Sequence, residues 1–120
     1  MPIARIAALS AAIPKEQVDV LNLGFDAELT RRTMRLTGVR AVRYAPKDKT
    51  AADYCLRAAQ EIFDQTQVRP CDVDGTIFVT PHPDYVYPGN SSIVQSAFGI
   101  PKKCCALDVN HSCTGMVYGI

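Results

Sequence analysis

Tryptophan is absent from the 120 residues, and neither sign of charge dominates: 13 Lys and Arg stand against 12 Asp and Glu, a formal net charge of +1. A balance this close to neutral excludes nucleic-acid binding through a broad basic surface, because neutralising phosphates takes clustered cations. No apolar run approaches the roughly 20 residues of a membrane-spanning helix. The first residues, MPIARIAALSAAIP, hold a single early Arg5, a short apolar stretch and Pro14. A secretory leader needs a more basic start and a longer apolar core. Residues 2–12 therefore read as a first strand, buried on both faces. The five cysteines, Cys55, Cys71, Cys104, Cys105 and Cys113, are odd in number and contain no CxxC pair. That excludes a closed set of disulfides within one chain. His82 and His111 are not spaced as zinc ligands beside paired thiols, so no metal is expected. Free thiols point to the cytoplasm. Repeats and low-complexity stretches are lacking as well.

What is there is an ordinary globular composition, 48% hydrophobic, which supports one small domain or a piece of a larger one. Residues 18–23 are short and ambiguous. Residues 27–36 carry Arg31, Arg32 and Arg35 with Leu29, Met34 and Leu36, the pattern of a surface helix, and Gly38 stops it. Residues 40–48 are polar with Pro46 and read as a loop. Thr50 caps a helix that runs to about Gln65, with Asp53 in its first turn. Cys55, Ala59, Ile62 and Phe63 form its apolar stripe. Residues 68–74 are a connector, and residues 76–80 a buried strand. Pro81 and Pro83 bracket His82 in a rigid turn, a surface position for that histidine. A helix starts at Pro88-Gly89-Asn90-Ser91 and ends at Gly99. Residues 104–109 form a third strand, residues 110–112 a tight connector, and residues 113–120 an apolar helix. Strands alternating with helices give an α/β fold. The apolar pattern is unfinished at Ile120, which predicts that these residues are the front part of a longer protein.

Chemistry concentrates in Asn110-His111-Ser112-Cys113-Thr114-Gly115. Here a strand gives way to a helix and a cysteine sits at the join. Unpaired N–H groups and the positive end of the helix dipole favour thiolate over thiol and can hold an oxyanion. Gly115 leaves room for close approach of backbone or substrate. Spacing alone leaves Cys113 open between a nucleophile and a buried structural cysteine. Cys104 and Cys105, adjacent and too strained to bridge, read as packing residues, and Cys55 as core.

Five segments in order resemble the front part of a β-ketoacyl-(acyl-carrier-protein) synthase III of the thiolase-like superfamily. They are Thr37-Gly38-Val39-Arg40, the helix over residues 51–63, Asp72, Asp74, Ile77 and Thr80 of the strand entry, Tyr87-Pro88-Gly89-Asn90-Ser91 with Phe98-Gly99, and residues 106–118 around Cys113. The resemblance implies a layered αβαβα fold of two similar halves. Residues 1–120 would form an incomplete N-terminal domain with about three strands of the first half. It implies that Cys113 takes an acyl group from a coenzyme A or carrier-protein thioester, these being substrates rather than bound cofactors. A malonyl-carrier thioester is then decarboxylated and its carbanion equivalent forms a carbon–carbon bond with the acyl group, as in fatty-acid biosynthesis. Acyl carrier protein is the implied partner and a homodimer the implied assembly, with Tyr87 reaching toward the partner's acyl pocket or serving as an ordinary loop aromatic. The family's catalytic His and Asn fall in the second half, so the 120 residues alone are expected to be inactive. His111 does not match that His and is expected to point away from Cys113.

Two departures bear on the donor. Family members that use acetyl-coenzyme A stack adenine on a Trp where Arg32 stands here, and Leu36 replaces an Arg. Arg31, Arg32 and Arg35 either attract phosphates or form a solvated helix face. The connector Asn110-His111-Ser112 is more polar than the family's small-residue version, which reshapes the pocket beside Cys113. Two other readings stand beside the first: another thiolase-like enzyme of natural-product or hydroxymethylglutaryl-coenzyme A chemistry, or a non-catalytic fragment that binds a partner.

Overall fold

The computed structural model describes residues 5–120 and divides into two compact units, Ile13–Lys49 and the combination of Met1–Ala12 with Thr50–Ile120. In the smaller unit, β1 (Gln17–Asp19) leads through a 3₁₀ turn (Val20–Asn22) to α1 (Ala27–Thr37) and then β2 (Ala41–Arg43). Asp26 caps α1 by accepting from the Leu29 N–H at 2.8 Å, and Gly38 closes it in the left-handed region at φ +75°. The helix matches the expected one to within a residue. The loop expected over residues 40–48 is corrected in part, because β2 pairs antiparallel with β1, Gln17 opposite Arg43. Neither strand buries a residue, so no alternating apolar face advertises them. What secures the pair is polar: the Arg43 guanidinium donates to the Pro14 and Lys15 carbonyls at 3.0 and 3.1 Å and to Gln17 Oε1 at 3.1 Å.

The larger unit holds α2 (Ala51–Gln65), β3 (Gly75–Val79), α3 (Asn90–Phe98), β4 (Cys105–Val109) and α4 (Gly115–Gly119). β3 and β4 pair in parallel, Phe78 opposite Asp108 and Val79 opposite Val109, with α3 as the crossover, a β-α-β unit. Successive side chains leave a strand on opposite faces. Phe78 and Asp108 accordingly face α3, while Ile77 and Val79 face α4. The core is Ala52 of α2, Phe78, Val94 of α3, Ile100 and Cys104. Phe63 and Phe98 join α2 to α3 edge to face, centroids 5.0 Å apart. Thr50 and Asp53 form the expected cap as a reciprocal capping box;.

The first strand is corrected. Residues 2–4 of it lie outside the described residues, and residues 5–12 form no strand. A strand exists only through backbone pairing with a neighbour, and none among the described residues runs beside this segment. Ile6 and Leu9 stand 65% and 81% exposed, and Ser10 Oγ ties the segment to Glu61 of α2 at 2.6 Å. The last helix is shorter than expected: residues 113 and 114 form a turn, and α4 starts at Gly115. Among the described residues no helix is long and apolar enough to cross a membrane.

Candidate active site

The parallel pair ends in two connections, and each carries part of the expected site. After β4 the chain turns tightly. The His111 N–H donates to the Val109 carbonyl at 2.9 Å, and the Gly115 N–H to the Ser112 carbonyl at 2.8 Å. Cys113 is exposed within this turn. It lines a depression of about 380 Å³ together with Ile77, Val79, Pro81, His111, Ser112, Met116, Gly119 and Ile120. An exposed thiol that lines a largely apolar depression can be reached by a thioester whose acyl chain packs against those walls. Cys113 precedes α4 rather than opening it, and α4 has five residues. The Gly115 and Val117 N–H groups are already engaged by Ser112 and Thr114 carbonyls. The helix-start argument for thiolate therefore contributes less than the sequence predicts, since a macrodipole needs aligned turns.

Gly115 is buried. A Cβ there would collide with the Val79 side chain and approach His111 Cβ to 3.2 Å. A close approach at Gly115 is made by the Val79 side chain of β3. His111 is among the residues that line the depression. Its Nδ1 lies 2.9 Å from Thr114 Oγ1, and its ring sits 5.1 Å from that of Tyr118; neither Thr114 nor Tyr118 lines the depression. The tight turn folds residues 111 and 114 together. His82 is exposed as expected.

After β3 the connection is longer and is fixed by carboxylates. Asp84 accepts from the Ala51 and Ala52 N–H groups of α2 at 3.0 and 2.8 Å and from Asn90 Nδ2 at 3.1 Å. Asp108 of β4 accepts from the Ser91 hydroxyl at 2.6 Å and the Ser91 N–H at 3.2 Å. Asn90 and Ser91 are 0% and 1% exposed. Between these anchors Tyr85, Val86 and Tyr87 stand out into solvent, Tyr87 at 90% exposure, ahead of a cis Tyr87–Pro88 peptide. The sequence marks Asn90 and Ser91 only as a helix start within a family segment, and it does not mark Asp84 as an anchor. Their partners lie 6 to 33 residues away, beyond any local pattern.

Arg32 belongs to the smaller unit. It is exposed on α1 and shares a cleft of about 250 Å³ with Asp26, Glu28 and Leu29. Among the remaining thiols, Cys104 is buried and donates to the Val73 carbonyl at 2.7 Å. Cys55 is half-buried, and burial pushes its thiol up from the ordinary value;. Cys105 is exposed and so is not the packing residue expected. Among the described residues no group of three or more His, Cys, Asp or Glu could hold a metal ion.

No protein-family model matches the chain. Solved structures do. A 3-oxoacyl-(acyl-carrier-protein) synthase III is 36% identical with a TM-score of 0.82, over 98% of this chain and 35% of that one. A 3-oxoacyl-(acyl-carrier protein) synthase from Burkholderia xenovorans LB400 is 28% identical with a TM-score of 0.78, over 89% and 32%. A tetronic acid condensing enzyme is 25% identical with a TM-score of 0.76, over 92% and 36%. The chain spans about a third of the length of these structures. Over that third, the chain has the thiolase-like α/β fold of the 3-oxoacyl-(acyl-carrier-protein) synthase III enzymes.

Proposed function

We propose that the protein serves as the nucleophile-bearing part of a thiolase-like condensing enzyme, with Cys113 as the acyl acceptor. One observation carries the reading. In a fold matched by a synthase III at a TM-score of 0.82, the exposed Cys113 lines a largely apolar depression just beyond a parallel strand. The thiolate attacks the carbonyl of an acyl thioester, and the tetrahedral adduct collapses with loss of the donor thiol. The acyl group then meets a malonyl-carrier thioester. Loss of carbon dioxide supplies the electron pair for the new carbon–carbon bond, and the Cys113 thiolate leaves. Acyl carrier protein is the partner of this second step, coenzyme A or a carrier the donor of the first, and the assembly a cytoplasmic homodimer with Tyr87 at the interface. Residues 1–120 by themselves are expected not to carry out the condensation. A natural-product role is the second reading, favoured by the likeness to a tetronic acid condensing enzyme.

The test is to incubate the protein with acyl-coenzyme A and, separately, acyl carrier protein, and to map the adduct by peptide mass spectrometry. An acyl mass on Cys113 that disappears in Cys113→Ala is expected. Labelling that falls elsewhere, or survives the substitution, sinks the assignment.

A further inference from the structure

We propose that Asp84 and Asn90 are positioning residues that close the loop over residues 85–89 and present Tyr85, Val86 and Tyr87 to a second copy of this chain. The inference rests on the homodimer reading with Tyr87 at the interface. The two residues bond each other twice. The Asp84 N–H donates to Asn90 Oδ1 at 3.3 Å, and Asn90 Nδ2 donates to the Asp84 carboxylate at 3.1 Å. Among the described residues the Asn90 amide bonds nothing else, although it is 0% exposed. Both ends of the loop are fixed to the fold as well. Asp84 accepts from the Ala51 and Ala52 N–H groups in the first turn of α2. At the other end, a Cβ on Gly89 would collide with the Asp108 carboxylate.

Between these fixed ends three consecutive uncharged side chains project. Tyr85, Val86 and Tyr87 are 54%, 100% and 90% exposed. Tyrosine suits an interface, since it buries a large apolar area and keeps a hydroxyl that can stay wet. Ordering a mobile segment at the moment of association weakens binding, and a segment already held avoids that loss. A loop whose ends are joined by two hydrogen bonds, one partner fully buried, is held in this way. In a two-fold dimer each copy presents the same loop, so a change in its order acts twice.

Sedimentation equilibrium gives the dimer dissociation constant. Asn90→Ala removes both bonds between the two residues and leaves those from Asp84 to α2 in place. It should weaken the dimer about ten-fold. Combined with Tyr87→Ala it should add little further loss, because a positioning residue acts through the side chain it positions. An unchanged dissociation constant, or the same loss in both backgrounds, would overturn the inference. Should Asn90→Ala fail to fold by circular dichroism, Asp84→Asn reads the same comparison. Tyr87→Ala, with the dimer weakened and the bonds intact, gives a reading that needs neither variant: the Val86 amide order parameter from NMR relaxation should be near about 0.85, and a value below about 0.6 would mean a mobile loop and overturn the inference. Unaltered protein that stays monomeric at every concentration overturns the homodimer reading and this inference with it, while acylation of Cys113 keeps its own test.

Discussion

Leaving β3 the chain takes ten residues, 80–89, to reach α3; leaving β4 it takes five, 110–114, to reach α4. The longer connection is pinned at its far end by side chains. Asp84 and Asp108 between them satisfy N–H groups at the starts of two helices, and both polar residues that receive them, Asn90 and Ser91, are buried. The shorter one is pinned by its own backbone and by one glycine against Val79. Carboxylates at helix starts stabilise through charge as well as hydrogen bonds. Backbone turns cost no side chain, so the short connection keeps His111, Ser112 and Cys113 free to line the depression. Rigidity built from side chains and reactivity built from side chains compete for the same positions, and the two connections divide them.

Removing the strongest anchor of the long connection should break the contrast most visibly. Asp108→Ala leaves both the N–H and the hydroxyl of Ser91, a residue 1% exposed, without their acceptor. A buried group that loses a charged partner destabilises by about 2–4 kcal/mol for the pair of bonds. Urea unfolding followed by circular dichroism should show that loss. A change under about 0.5 kcal/mol, the size of an ordinary surface substitution, would mean that the carboxylate is not an anchor. The short connection should respond to added volume instead. In Gly115→Ala the new methyl meets Val79, and overpacking of this kind costs about 1–3 kcal/mol. Because His111 lies on the other side of that methyl, the same variant should also slow labelling of Cys113 by iodoacetamide. Unchanged stability and unchanged labelling together would show that the helix–strand approach is loose.

The contrast also explains what could be read in the sequence. Helices α1, α2 and α3 were legible to within a residue or two, because caps and glycine stops are local signals: Gly38, Thr50 with Asp53, Gly99. β3 was legible as an apolar, β-branched run, and β4 as the short segment between two helices. β2 was not, since its pairing rests on Arg43 bonds and buries nothing. Over residues 5–12 the expected strand failed for the opposite reason: apolar residues without a neighbouring backbone do not make a strand. At the site, the strand–turn–helix pattern drew attention to Cys113 at the join of β4 and α4, while the contacts of His111 beside it were not legible. Its orientation depends on a turn whose bonds to Val109 and Thr114 leave no mark in composition. The Asp84 and Asp108 anchors were hidden by distance along the chain.

A third carboxylate marks the weak end of the same contrast. Asp72, in the turn that enters β3, takes two bonds from the Arg69 guanidinium, at 2.9 and 2.8 Å, and one from the Arg69 N–H at 3.2 Å. The chemistry resembles that of Asp108, yet both partners are largely exposed, 72% and 43% by side chain. Hydrogen bonds from the Arg69 side chain, and then from its backbone, hold the Asp72 carboxyl at about 2, below its ordinary 3.8. A carboxyl depressed by folding adds stability that is complete above its unfolded value and is lost as pH falls through the folded one. The contribution of this pair is therefore present above about pH 3.8 and fades toward pH 2. Water screens it throughout, so its loss at neutral pH should cost less than either Asp108→Ala or Gly115→Ala. Carboxyl titration by NMR separates the ionisation from the stability. The Asp72 midpoint should lie near 2 and return toward 3.8 in Arg69→Gln, while the urea midpoint at pH 7 barely moves. A loss at pH 7 as large as that of Asp108→Ala would show that exposure does not separate the two carboxylates, and that the long connection owes its rigidity to something other than burial.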